Sequence, residues 1–168
     1  KALHVSDMRR VMSLNGFARV VIGGQTEPRR NGAQPGVGYG GAYPGVVEEA
    51  WRSLSHGLPL YVVGAFGGAA RVVADLLEDR PTPTAMLAST FAGDEFSEFR
   101  ACASEFASDP DRAALGVPAD LQEMAEAIRA AGKARLADDA SALAWNGLDV
   151  AENKELFRTQ DPVAITAL

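Results

Sequence analysis

The feature that most constrains this chain is a unit of strand, glycine turn and helix that occurs twice between residues 18 and 71. One short apolar run ends at Gly23-Gly24, and a second, residues 60–63, ends at the turn 64–68, Gly-Ala-Phe-Gly-Gly. Glycine between a buried strand and a helix is typical of a parallel sheet whose turns lie at its carboxyl edge. Backbone N–H groups and helix N-termini at such an edge bind anions. The repeat therefore predicts an α/β fold with a site for a small anionic ligand.

Composition narrows the classes of partner. The chain has 168 residues, 47% of them hydrophobic, which fits one globular domain, and its net charge of −6 argues against duplex nucleic acid or an anionic membrane as the main partner. Cys102 is the sole cysteine and only His4 and His56 accompany it, so we expect no disulfide, no metal, no cofactor and a cytoplasmic location. No apolar run reaches the roughly 20 residues that cross a bilayer, and we find no leader.

Hydrophobic periodicity predicts the first two elements. A helix is expected over residues 3–14, with Ser6 as its N-cap. A strand is expected over residues 18–22, buried on both faces because it is almost continuously apolar. The buried face of the helix is expected to comprise Val5, Met8, Val11 and Met12.

The segment from residue 23 to residue 45 is rich in glycine and predicts a long loop, and we expect residues 25–43 to become ordered when a ligand binds. Pro44 suits the first position of the next helix. In that helix we expect Glu48 and Arg52 to pair on the solvent side, whereas Glu49 has no partner four residues on.

The second glycine turn leads into a helix predicted over residues 69–77. Arg71 lies in its first turn, where a cation opposes the helix dipole; it either binds the ligand or forms a surface pair with Asp75. We divide the chain into an α/β part, residues 1–80, and a helical extension packing on it, residues 85–168. In the extension, helices are expected around residues 96–106, 121–128 and 136–145, with two short ones after residue 153.

A phosphate site is predicted where the loop meets the helix after Pro44. The N–H groups of residues 45–47 are expected to hold a phosphate, and Glu49 either binds ribose or stabilises an oxocarbenium ion. The alternative is that both glutamates only suit a helix N-terminus electrostatically. The run 36–41 matches G-x-G-x-x-G, but it does not directly follow a strand and is interpreted as loop.

Three runs, residues 9–12, 18–24 and 44–49, resemble the SLOG superfamily of DNA-processing Smf/DprA proteins and LOG cytokinin-activating enzymes. The run 59–71, Pro-Leu-Tyr-Val-Val-Gly-Ala-Phe-Gly-Gly-Ala-Ala-Arg, is similar to the prokaryotic branch that resembles the SLOG module of melastatin-type TRP channels. The resemblance implies the C-terminal part of a Rossmann-like three-layer α/β/α domain with a mainly parallel sheet. Val46 stands where LOG enzymes have threonine, so nucleotide binding is implied more strongly than hydrolysis.

The resemblance also implies a sensor of an NAD-derived or ADP-ribose-like nucleotide that controls an attached or partner effector, in antiphage defence or signalling, and that we expect to be a homo-oligomer. The alternatives are an N-glycosidic bond hydrolase with Glu49 as its catalytic carboxylate, and a protein-interaction scaffold with a vestigial pocket. The predicted ligand-binding residues are Arg9, Arg19, Gly23, Gly24, Gly41, Pro44, Gly45, Val46, Glu48, Glu49, Gly64, Phe66, Gly67, Gly68 and Arg71.

Overall fold

The computed structural model describes residues 2–138 and 146–167. Both strands, the helices after them and the two short tail helices were predicted; the helix expected over residues 136–145 lies largely outside the described residues. In chain order the elements are α1 (Ala2–Leu14), β1 (Arg19–Ile22), α2 (Gly45–Ser55), β2 (Leu60–Val63), α3 (Gly68–Leu77), α4 (Ser97–Ser108), α5 (Pro110–Ala114), α6 (Leu121–Asp138), α7 (Val150–Arg158) and α8 (Pro162–Ala167), with three short 3-10 turns between α3 and α4.

The two strands form a parallel pair, which confirms the predicted α/β class. Their register runs from Arg19 opposite Leu60 to Ile22 opposite Val63. Helix α2 connects the strands, and α2 and α3 both pack on the pair. The first residues of both helices consequently lie near the carboxyl ends of the strands, as the repeated unit predicts.

The main core lies on one face of this pair. Successive residues of a strand point to opposite faces. Leu60 and Val62 of β2 join Val21 of β1 in the main buried cluster with α2 and α3. Helix α6 packs on the outer side of α2 and α3, and its Met124 and Ile128 are fully buried in the same cluster.

Helix α7 covers the other face of β2. Val63 is buried there against Leu148 and Leu156, with Tyr61 partly buried beside them. The Asn146 side-chain amide donates a hydrogen bond of 2.8 Å to the backbone carbonyl of Leu60. Helices therefore cover both faces of β2.

None of the helices in the described ranges combines the length and hydropathy needed to cross a membrane.

The prediction that β1 is buried on both faces is wrong for this structure. Val21 is buried, but Val20 and Ile22 on the opposite face are 65% and 55% exposed. The reason is that α7 reaches β2 and leaves the same face of β1 uncovered. An apolar surface is thus left open beside the end of α1.

The predicted orientation of α1 is also wrong. Its exposed side carries Met8, Val11 and Met12, each about half exposed, whereas the buried side carries Ser6 and Ser13. The helix begins at Ala2, so Ser6 is an internal buried residue and not the N-cap. Ala2 is also buried, and Arg9, beside the serines, reaches the charged residues of α2 described below.

The glycine-rich loop is held against α4 by hydrogen bonds and ring contacts, and its ordering by a ligand stays a prediction. The Asn31 side chain donates to the hydroxyl of Ser97 at 2.8 Å and accepts from the N–H of Glu98 at 3.1 Å, at the start of α4. The rings of Tyr39 and Tyr43 are buried and stack edge-on against Phe99 and Phe106 of α4.

Candidate functional site

The two predicted glycine turns meet at the carboxyl edge of the strands. The N–H groups of Ala69 and Ala70, in the first turn of α3, donate to the carbonyls of Gly24 at 3.1 Å and Gly23 at 2.8 Å. Gly68 has φ +66°, and a Cβ there would lie 2.3 Å from the carbonyl oxygen of Gly24. Only glycine permits this approach, so the sequence of the turn dictates its contact.

Part of the donor set predicted for the ligand is used inside the protein. Ala69 and Ala70 bond to the first turn, and the N–H of Gly67 donates to the carbonyl of Gly64 at 3.0 Å. Phe66, between those two glycines, is 52% exposed. The second turn therefore closes on the first, and one predicted donor, the N–H of Gly67, is used within the turn.

Helix α2 keeps open donors at its N-terminus. The N–H groups of Val47 and Glu48 donate to the carbonyl of Pro44, at 3.1 and 3.2 Å. Within residues 2–138 and 146–167, nothing accepts from the N–H groups of Gly45 and Val46. Two adjacent open donors at the positive end of a helix are the arrangement that the predicted phosphate site requires.

The guanidinium of Arg9 lies against this helix end. A Cβ at position 45 would stand 2.6 Å from its Nη2, so Gly45 provides the space that the side chain occupies. Arg9 is 14% exposed, and its buried Nε–H lacks a hydrogen-bond partner in the described part of the chain. A cation at a helix N-terminus is unfavourable, so a nearby anion must compensate it.

Glu48 supplies that compensation from inside the protein. Its fully buried carboxylate accepts from Nη1 of Arg9 at 2.6 Å and from Nε of Arg52 at 3.1 Å. Arg52 is also fully buried, so the predicted i,i+4 pair is confirmed but its predicted place on the solvent side is wrong. Burial lowers the pKa of Arg52, and the charge of Glu48 opposes this shift.

Glu49 faces the other way and remains partly open. Its carboxylate lies 2.8 Å from Nη1 of Arg19, on β1, and 3.6 Å from Nε of Arg9, and its side chain is 31% exposed. Arg19 also donates to the hydroxyl of Ser13 at 3.0 Å. Three arginines, Arg9, Arg19 and Arg52, thus surround two glutamates, and this site cluster carries one excess positive charge.

The structure brings together Arg9, Arg19, Gly45, Val46, Glu48 and Glu49 of the predicted set, and places Gly23, Gly24, Gly64, Gly67 and Gly68 in the paired turns. Arg71 pairs at the surface with Asp75, with 2.9 Å between its Nε and the carboxylate. This pair was the alternative to ligand binding that we predicted for Arg71. Gly41 lies in the loop that packs on α4.

Two residues that take part in the contacts of the site were not recognised from the sequence. Arg52 was interpreted as a solvent-facing partner, and Ser13 was not considered at all. The spacing of Ser6, Arg9 and Ser13, which places them on one side of α1, is the signal that would have indicated a polar contact with another element.

Across the described ranges, no group of three or more His, Cys, Asp or Glu side chains is placed to hold a metal ion.

Comparison with curated proteins and with solved structures gives no match. The family model described as SLOG cluster2 matches residues 2–156. That span contains α1, both strands, both glycine turns and the site cluster. Because the match covers most of its length, the chain belongs to the SLOG superfamily.

Proposed function

We propose that this chain is the ligand-binding part of a nucleotide sensor and that the phosphate of its ligand binds at the N-terminus of α2. The observation that carries the proposal is the place of two unused N–H groups, those of Gly45 and Val46, at a helix N-terminus beside the Arg9 guanidinium. Nη2 of Arg9 would lie 2.6 Å from a Cβ at position 45. A phosphate oxygen satisfies such donors with charge-assisted hydrogen bonds and neutralises the excess positive charge of the site cluster.

Glu49 is the group we assign to the ribose. Its carboxylate is partly exposed, beside the same arginine, and ionised carboxylates accept hydrogen bonds from hydroxyl groups. Glu48 cannot serve this purpose, because it is fully buried between Arg9 and Arg52. A ligand with both phosphate and ribose fits this division. The family supports a nucleotide, and within that class we propose the NAD-derived or ADP-ribose-like ligand that the resemblance implies.

The alternative of N-glycosidic bond cleavage rests on Glu49 as well. A carboxylate in the place of Glu49, beside two arginines, is the kind of group that stabilises an oxocarbenium ion. We favour binding because Val46 replaces the threonine of the hydrolytic relatives. Incubation with NAD and nucleoside monophosphates separates the two functions, since only the enzyme releases free base, and Glu49→Gln would abolish that release.

We also propose that β1 is an inner strand of a larger parallel sheet in a Rossmann-like three-layer arrangement. Two strands are fewer than a sheet normally needs for stability. The apolar residues Phe17, Val20 and Ile22 are all more than half exposed along β1. A covering strand and helix, from this protein or a partner subunit, would bury them and provide the route by which ligand binding reaches an effector.

Calorimetric titration of the intact protein with ADP-ribose, cyclic ADP-ribose isomers, NAD and AMP tests the proposed function. We expect at least one of them to bind, with affinity that falls as salt rises because a phosphate contact is screened. Glu49→Gln should weaken ligands with a free ribose more than inorganic phosphate. Absence of binding heat from all four, in folded protein, would overturn the proposal.

A further inference from the structure

A cavity lies between the glycine-rich loop and the start of α4, separate from the site cluster, and we call it the loop cavity. Its volume is about 180 Å³, smaller than the roughly 300 Å³ at which pockets for drug-sized ligands begin. It is lined by Arg29, Tyr39, Gly40, Gly41, Glu98, Phe99 and Cys102.

The walls of this loop cavity are held in place. Arg29 and Tyr39 are joined backbone to backbone, the N–H of Arg29 donating to the carbonyl of Tyr39 at 2.9 Å. Gly38 has φ +77°, and a Cβ there would lie 2.7 Å from the backbone of Arg29, so this crossing of the loop requires glycine. Asn31 fixes the loop to the first residues of α4 through the hydrogen bonds described above. The cavity is therefore preformed.

Two polar atoms on side chains that line the cavity lack a hydrogen-bond partner. They are Nε of Arg29 and the hydroxyl of Tyr39, and both are buried. The Tyr39 side chain as a whole is 8% exposed and its ring is fixed edge-on against Phe99, with 5.7 Å between centroids. Buried polar groups in native proteins nearly always have partners, so unpartnered polar atoms on two residues of one cavity wall support a polar ligand here.

The charges on the cavity define the ligand further. Arg29 forms no ion pair within the described ranges, and neither does Glu98, although both line the same space. The unpaired guanidinium favours an anionic acceptor. The carboxylate of Glu98 disfavours a second negative charge and can accept from an ammonium or hydroxyl group.

From this combination we propose that the loop cavity binds a small α-amino or α-hydroxy acid. The ligand's single carboxylate would accept from Arg29 and Tyr39, and its amino or hydroxyl group would donate to Glu98. Phe99 provides an apolar wall for a short side chain. The proposal does not depend on nucleotide binding at α2, because the two sites use different side chains.

Thermal unfolding of the full chain tests the proposal with alanine and lactate as candidate ligands, propionate as a plain carboxylate, and lactamide as the control that lacks a carboxylate. We expect alanine or lactate to raise the melting temperature, propionate to act more weakly, and lactamide to leave it unchanged. Titration calorimetry then gives the affinity of the effective compound.

Three variants and a matched control assign the effect to the cavity. Arg29→Gln should weaken binding about ten- to hundredfold, as expected for loss of a charge-assisted hydrogen bond, and Tyr39→Phe about two- to tenfold. Glu98→Gln should weaken alanine more than propionate, because only alanine carries the amino group assigned to Glu98. The neighbouring Arg30→Gln should have no effect on affinity, because Arg30 is exposed and pairs with Glu27.

Tyr39→Phe also gives a reading that needs no ligand. If the Tyr39 hydroxyl has no hydrogen-bond partner in the ligand-free protein, removing it leaves the melting temperature of that protein unchanged or higher. A lower melting temperature would contradict the proposal. So would no shift from either alanine or lactate, or an equal shift from lactamide.

Discussion

Glu48 and Glu49 are adjacent in the sequence but have different roles in the structure. Glu48 is fully buried between two arginines, whereas Glu49 is partly exposed and contacts Arg19. The sequence showed that two carboxylates begin this helix but not which of them faces inward. That choice depends on α1, whose Arg9 lies 39 residues away.

The first prediction at this scale separates the two carboxylates by stability. Glu48→Gln should lower the free energy of unfolding by about 3 kcal/mol or more, because it leaves buried arginines uncompensated. Glu49→Gln should cost about 1 kcal/mol or less, as for a partly exposed ion pair. Urea denaturation of both variants measures the difference, and equal losses would contradict the assigned burial.

The second prediction at this scale concerns the stability of the protein at alkaline pH. Burial raises the pKa of the Tyr39 and Tyr43 hydroxyls above the value of about 10 that they have in the unfolded chain. Above that pH the unfolded chain loses these protons first, so stability present below pH about 10 is lost as pH rises. We predict a loss of about 1.4 kcal/mol per pH unit for each tyrosine.

The free energies of unfolding of wild type and Tyr39→Phe, measured by denaturation between neutral pH and pH about 11, check this prediction. The variant should lose stability less steeply above pH about 10 and in parallel with wild type below it. Identical slopes throughout would show that the Tyr39 hydroxyl is accessible to solvent.

At the scale of elements, α1 shows where periodicity misleads. Its apolar residues are spaced for one buried face, yet that face is exposed in this structure and the side bearing Ser6 and Ser13 is buried. Periodicity reports that a helix has two different faces and not which one meets the rest of the chain. Here the ion pairs with α2 decide the orientation.

This orientation predicts opposite sensitivities of the two faces. Met12→Gln, on the exposed face, should change the free energy of unfolding by about 0.5 kcal/mol or less, whereas Ser13→Leu should cost about 1–3 kcal/mol through overpacking. Chemical denaturation of the two variants measures this. A larger loss for Met12→Gln would mean that the apolar face is the packed one.

The elements from β1 to α3 were predictable because local signals agree there. Apolar runs, the glycines that end them and Pro44 before α2 fix each boundary to within about a residue. The packing of the loop was not predictable, because it depends on contacts between Asn31 and residues more than 60 positions away. Neither was the closure of the second turn on the first.

For the whole molecule, the exposed surface of Phe17, Val20 and Ile22 is the feature that a lone domain would avoid. We predict that the chain self-associates through it and that Val20→Lys combined with Ile22→Lys reduces the association. Sedimentation velocity over a range of concentrations measures this, with Val163→Lys, at an exposed residue of α8, as the control. A monomeric wild type would contradict the prediction.

The central claim is that the N-terminus of α2, beside Arg9, holds a nucleotide phosphate, and Gly45→Ala tests it most directly. The added methyl would lie 2.6 Å from the Arg9 guanidinium and displace that flexible group without removing any charge. Gly16→Ala is the matched control, since a Cβ there meets no atom closer than 3.4 Å.

The decisive measurement is the affinity for ADP-ribose of wild type and these two variants by titration calorimetry. We predict binding by wild type and Gly16→Ala, and a loss of about tenfold or more in Gly45→Ala, the scale of one charge-assisted hydrogen bond. Equal affinity in all three proteins, or none in wild type, would contradict the claim.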